Sequence, residues 1–237
     1  MRVANGSTDP TDQAIASNYC DICNFESYAS SIMGNPSQRA AHIKDAIDLL
    51  NDIEAGTLPA VAFVKPDSFV DGHPASSKLD LFEGMLKNIA DRIKDQKDTA
   101  LLVAFDEGGG YWDSGYIQPL DYFGDGPRIP FLVVSHYAKH GSVVHTYYDH
   151  VSVLKFIEKN WSLQPLTARS RDNLANPTPS ADPYVPGNSP AIGADGYVRL
   201  QPTIAGFTPG PGGGSKSAAP FVFRSSGAAF FLLLRGR

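Results

Sequence analysis

The sequence predicts an α/β fold with a mostly parallel sheet and flanking helices. Three observations predict it. Short, apolar, β-rich runs occupy residues 60–64, 99–105 and 129–135 and read as buried strands. Between and around them, apolar residues recur at helical spacing in three longer segments. Finally, 237 residues with 42% hydrophobic positions and a net charge of -5 make a globular composition with enough apolar material for a sizeable core.

Residues 1–36 are polar and punctuated by Gly, Asn, Ser and Pro, and form an irregular lead-in. The core is expected over 37–165. In residues 37–53, Ala41, Ile43, Ala46, Ile47, Leu50 and Ile53 keep helical spacing, and Gly56 ends the helix. The strand at 60–64 follows and is stopped by Lys65-Pro66. A second helix over 77–94 lines one face with Leu79, Phe82, Met85, Leu86, Ile89 and Ile93. The strand at 99–105 then runs into Asp106-Glu107-Gly108-Gly109-Gly110, and a loop rich in Asp, Gly and aromatics leads to the strand at 129–135. A third helix over 148–161 turns Val151, Leu154, Ile157 and Trp161 inward. Residues 166–237 are a loop-rich tail with a Gly/Pro/Ser linker at 209–217. Within that tail the apolar Phe230-Phe231-Leu232-Leu233-Leu234 reads as a fused or misread end, prone to aggregation if exposed.

Several function classes are excluded. There is no run of Lys and Arg to form the basic stripe that nucleic-acid binding requires. The longest apolar stretch, 228–234, is seven residues, against the roughly 20 needed to cross a bilayer. Residues 1–10 contain no apolar run of the kind a secretory signal has. Cys20 and Cys23 have C-x-x-C spacing but no second pair to complete a zinc site, so a structural or incidental role is expected.

In an open α/β sheet, ligands bind outside the carboxyl ends of strands, and each strand here leads to ionisable residues. The first leads to Asp71-Gly72-His73-Pro74, the second to Asp106-Glu107, the third through a loop to His145 and Asp149-His150. Adjacent carboxylates repel unless a cation or proton lies between them, so Asp106 and Glu107 look like ligands for a hard metal ion. Strand alternation would point them apart, and the glycines at 108–110 supply the turn that lets both reach one centre. Asp71 and His73 can likewise converge across Gly72, although Asp-Gly is also simply a good turn. His145 and His150 could each be a ligand or general acid, and Asp149 could line the site or cap the helix that follows. His136 and His140 are assigned no role. His42, Asp45 and Arg39 share a helix face as a surface contact.

The ordered series DGHP (71–74), DEGGG (106–110), GPRIP (126–130) and HTxxDHxS (145–152) resembles the C-terminal half of the bacterial phosphoesterase family. That family contains phosphocholine-type phospholipases C and an acid phosphatase, and is similar in core fold to the alkaline phosphatase superfamily. The likeness runs from about residue 18 to 176. It implies an alkaline-phosphatase-like, here incomplete, sheet and a metal-dependent phosphoric ester hydrolase acting on a small phosphate ester or a phospholipid headgroup. Carried over by position, Asp106, Glu107 and Asp71 would hold a divalent ion such as Ca, Mn or Zn. His73, His145 and His150 would be catalytic, with Asp149 and Asp113 lining the site. The family's nucleophile-bearing half has no counterpart here, which implies a fragment with little turnover of its own. Where many phospholipase-like members read Asp-His-Val-Pro-Pro, this chain reads Trp112-Asp113-Ser114-Gly115-Tyr116. The resemblance also implies an exported or periplasmic parent protein. The alternative is a non-catalytic domain that binds a divalent cation or phosphate.

Overall fold

The computed structural model describes residues 8–10, 17, 20, 23–74, 76–109, 128–139, 141–144, 148–168, 170–173 and 229–236, and of residues 229–231 the backbone. A 3-10 turn, Phe25–Tyr28, precedes helices α1 (Ser30–Met33), α2 (Pro36–His42) and α3 (Ala46–Ala55). Strand β1 (Val61–Val64), helix α4 (Leu79–Ile93) and strands β2 (Thr99–Phe105) and β3 (Phe131–Ser135) follow. Helix α5 (His150–Trp161), a 3-10 turn at Arg171–Asn173 and strand β4 (Ala229–Arg235) complete the order.

The helix expected over 37–53 is two helices, because Asp45 starts a new one. Its Oδ1 accepts from the amides of Ile47 at 2.9 Å and Asp48 at 3.1 Å, while Asp48 Oδ2 accepts from the Asp45 amide at 3.4 Å. This reciprocal cap satisfies donors that a continuous helix would have bonded internally. Asp45 therefore does not share a helix face with His42, whose Nε2 lies instead 3.0 Å from Gln38 Oε1. At the N-terminal side, Cys20 and Cys23 form a disulfide, so their sulfurs are paired with each other and not held as half a metal site.

The sheet has the order β1-β4-β2-β3 among the described residues, and every adjacent pair is antiparallel. The expected mostly parallel sheet is not what forms. β1 and β2 do run in the same direction, joined through α4, but they are separated by β4, which pairs antiparallel with both. β3 runs opposite to β2, with Ala104 opposite Phe131 and Ala100 opposite Ser135. Parallel neighbours need a long crossover, usually helical, and the sequence between β2 and β3 has no helix-period segment to supply one.

The tail's apolar run is also not an exposed end. Leu233 is buried on one face with Leu101, Val103, Phe105 and the inner residues of α3 and α4. Leu232 and Leu234 are buried on the other with Ala100, Leu102, Ala104, Val133 and Phe156 of α5. β2 is buried along all seven residues because helices cover both faces. The end of β4 is pinned by the Arg235 amide on Ala60 O at 3.0 Å, the Gly236 amide on Asp98 O at 2.6 Å and Arg235 Nε on Asp98 Oδ2 at 3.2 Å. No helix among the described residues is long and apolar enough to cross a membrane.

Leu233 is 1% exposed at the centre of this arrangement. Leu233→Ala is expected to lose about 2–5 kcal/mol of unfolding free energy in urea titration. Leu163→Ala, at a side chain 55% exposed, should stay within about 0.5 kcal/mol of the parent.

Candidate functional site

β1 and β2 point the same way, so their carboxyl ends lie at one edge of the sheet, and the loops that leave them form the candidate site. The loop after β1 is tied down by its own side chains. Asp71 is 4% exposed, and its Oδ1 accepts the His73 amide at 2.9 Å while its Oδ2 accepts Lys65 Nζ at 3.0 Å. Ser77 Oγ donates to Phe69 O at 2.6 Å and accepts the Gly72 amide at 3.2 Å. Gly72 has φ +75, and a Cβ there would lie 3.4 Å from Leu79 and 3.7 Å from the Phe105 ring. The positive φ favours glycine at this point, while the neighbouring side chains, at ordinary van der Waals distances, seat the Asp71 loop against the end of β2.

At that end, partial burial pushes the Asp106 carboxyl above its usual range, against a downward pull from the nearby Lys65 charge and from the amides of Glu107 and Asp106 itself. The turn beyond is tight, with Gly109 at φ +64. It does not aim Glu107 at the same centre, because Glu107 Oε2 accepts the Gly109 amide at 2.6 Å.

β3 runs the other way, so its carboxyl end is at the far edge of the sheet, where Ser135 Oγ donates to Thr99 O at 3.1 Å. The expectation that three strand ends converge is therefore corrected to two. α5 nevertheless returns to the site edge: His150 Nε2 lies 2.8 Å from Phe105 O, next to Asp106. A carbonyl oxygen only accepts, so Nε2 carries a proton in this contact.

His73 is exposed, and its Nδ1 lies 2.6 Å from Pro74 O and 3.2 Å from Ser76 Oγ. The carbonyl again fixes the proton, here on Nδ1, so this nitrogen cannot take a proton from Ser76 to make it a nucleophile. Nε2 of His73 is left as its basic nitrogen.

Asp149 proves to be the N-cap of α5. Its Oδ1 accepts the Ser152 amide at 3.1 Å, and its Oδ2 accepts Arg171 Nε at 2.5 Å. Residues 163–173 thus form a strap clamped to α5 beside His150 and again further along, at Glu158 and Asp172, which are 6% and 2% exposed. Burial and the neighbouring Asp172 push Glu158 up, with a weaker downward pull from Lys155. Burial also acts to raise Asp172, but the Ser170 hydroxyl, the Leu166 and Asp172 amides and the Glu158 carboxyl outweigh it and hold Asp172 low. Of the two, Glu158 is the one that keeps its proton to higher pH, and it donates to Asp172 when it does. Lys155 beside it is pushed down by desolvation.

The remaining expected site residues, His145 and Asp113, lie outside the described residues, as does His140. Lys65 was missed from sequence, where it reads only as a strand terminator. The available signal was its place at a strand's carboxyl end among carboxylates. For a divalent ion, the described residues do not fit as they stand: no three His, Cys, Asp or Glu side chains among them form a ligand group. Both oxygens of Asp71 are already engaged, and Glu107 is turned onto its own loop.

Comparison with known proteins points one way. The model of the phosphoesterase family matches residues 7–164. The non-hemolytic phospholipase C of Burkholderia pseudomallei is 27% identical over 220 residues, covering 76% of this chain and 30% of that protein. The non-hemolytic phospholipase C of Pseudomonas aeruginosa is 25% identical over 239 residues, covering 79% and 34%. A probable acid phosphatase of Kluyveromyces lactis is 31% identical over 144 residues, covering 58% and 31%. This chain therefore spans about a third of the length of these relatives. No solved structure matches it.

The Glu158–Asp172 pair makes stability depend on pH with a definite sign. Because Glu158 is raised in the folded state, its contribution is complete below its ordinary value of 4.5 and is lost as pH rises through the raised value. Glu158→Gln keeps a donor that does not titrate. Urea midpoints of the two proteins should lie closest near pH 4.5, and the variant should gain on the parent as pH rises through the raised value and keep that gain above it. A constant difference across that range would show that the pair does not titrate as described.

Proposed function

The chain belongs to the phosphoesterase family, and on that premise we propose that the shared edge of β1 and β2 is part of a site that hydrolyses phosphoric esters. The observation that carries the reading is the gathering of Lys65, Asp71, Asp106 and His150 there from three separate elements. Relatives named phospholipase C and acid phosphatase support a substrate that is a small phosphate monoester or a phospholipid headgroup diester. In this reading His150, fixed on Phe105 O, and His73, with Nε2 available, stabilise charge on the phosphoryl oxygens or protonate the leaving oxygen. Asp113 and His145, outside the described residues, keep the roles the family resemblance gives them, lining for the first and catalysis for the second. Asp106 is the carboxylate best placed to meet a cation, with Glu107 and Asp71 as further ligands only if their present partners give them up. A divalent ion, whether calcium, manganese or zinc, would add Lewis-acid polarisation of the phosphoryl group.

One observation favours a second reading, a domain that binds phosphate or a cation without hydrolysis. Ser76, the hydroxyl beside His73, faces a protonated nitrogen and is not activated.

Hydrolysis of p-nitrophenyl phosphate and of a phosphorylcholine ester, with inorganic phosphate binding followed by calorimetry, separates the two. Slow turnover is expected, with kcat reduced at least about 10²-fold by His150→Ala and unchanged by His140→Ala. Phosphate binding without turnover would support the second reading. Neither binding nor turnover would sink both.

A further inference from the structure

His150 reaches the site edge on a helix, so whatever fixes the first turn of that helix decides where the imidazole stands. α5 begins at His150, and the residue before it, Asp149, divides its carboxylate between two partners. Oδ1 accepts the Ser152 amide at 3.1 Å, which caps the first turn, and Oδ2 accepts Arg171 Nε at 2.5 Å. The cap ties Asp149 only to its own helix. The second contact spans 22 residues of chain and is sheltered, with side chains 21% exposed for Arg171 and 12% for Asp149. A charge-assisted bond so enclosed contributes more than an exposed ion pair. Arg171 is itself presented by a closed loop. Ser162 turns the chain back at the end of α5 with φ 57, and the Leu163 amide bonds Glu158 O at 2.8 Å. From there the Leu166 amide bonds the buried Asp172 carboxyl at 2.8 Å, and the Thr167 amide bonds Ser170 Oγ at 2.8 Å. The loop thus grips α5 at its last turn and, through Arg171, at its start, while His150 Nε2 meets Phe105 O at 2.8 Å.

We propose that Arg171 is a positioning residue of the phosphoester site: by holding Asp149 it fixes the first turn of α5, and with it the His150 imidazole at the end of β2. Arg171 acts through Asp149 and takes no part in bond making or breaking. A guanidinium suits this task, because its planar donors keep one direction against a carboxylate, where a lysine on a flexible stem would keep the charge without the direction. A small displacement of a group that must meet a phosphoryl oxygen slows the chemical step more than it weakens binding. The inference rests on the phosphoester reading for what His150 does, and its first measurement is made on the resting chain, so the two can fail separately.

The test compares the parent chain with Arg171→Met, Arg171→Lys and Asp149→Asn. Asparagine offers Ser152 the same capping oxygen but turns an amide NH2 toward the guanidinium, so it separates the clamp from the cap. Nuclear Overhauser contacts between the His150 ring protons and the backbone of Phe105 and Asp106, assigned against His150→Ala, are the first readout. They are expected in the parent, lost in Arg171→Met and Asp149→Asn, and partly kept in Arg171→Lys, while the core contacts of the buried Phe156 persist in all four proteins. With p-nitrophenyl phosphate, kcat should fall about tenfold or more in Arg171→Met with KM little changed, and Arg171→Lys should recover part of the loss. Ring contacts retained in both Arg171→Met and Asp149→Asn, or an unchanged kcat in Arg171→Met, overturns the proposal. In the absence of any turnover the phosphoester reading fails by itself, and the ring contacts alone decide whether Arg171 holds His150. If Arg171→Met does not fold, Asp149→Asn and Arg171→Lys decide on the same contacts.

Discussion

The sheet depends on a strand that comes from the far end of the chain. β1 and β2 run parallel without a hydrogen bond between them, and the backbone groups on their facing edges are satisfied only by β4. A buried strand edge left open would strand a row of unpaired amides and carbonyls, each of which is unfavourable away from water. β4 also closes both cores at once, since alternate leucines enter opposite faces. The carboxyl ends of β1 and β2 are thus held at a fixed spacing by a segment that contributes no candidate site residue. A site at these ends can be only as well defined as that pairing.

The polar groups of the site are organised by a similar logic of mutual satisfaction. Asp71 draws Lys65 and the His73 amide inward, and the glycine beside it lets the loop close on Phe105. His150 is oriented by a β2 carbonyl at one nitrogen, while the helix that bears it is capped by Asp149, itself clamped by Arg171. The groups not already fixed by these contacts are fewer than the motif inventory suggests, with Nε2 of His73 and the carboxyl of Asp106 among them.

Local features were legible in the sequence where one physical signal dominated. The span of β2 is read correctly, because seven apolar residues without a polar interruption fit a strand buried on both faces. The face of α4 is read correctly too, with Phe82, Ile89 and Ile93 buried as their spacing requires. Strand direction was not legible from apolar pattern, since a period of two reads the same in both directions. The absence of a helical segment between β2 and β3 did carry that information. The split between α2 and α3 was written in Asp45 and Asp48, a cap overridden in the reading by apolar spacing that runs across it. The place of β4 had no local signal at all. A run of Phe and Leu says that it will be buried, while its partners lie more than a hundred residues away.

Lys65 shows why a site's charge balance is harder to read than its motifs. A lysine between a strand and a proline looks like a stop signal, and only the fold brings it to Asp71 and under the influence of Asp106. The same pairing bears on stability. Removing either member leaves the other charged and enclosed, which generally costs about 3–5 kcal/mol, whereas an exposed pair such as Lys87–Asp91 contributes little.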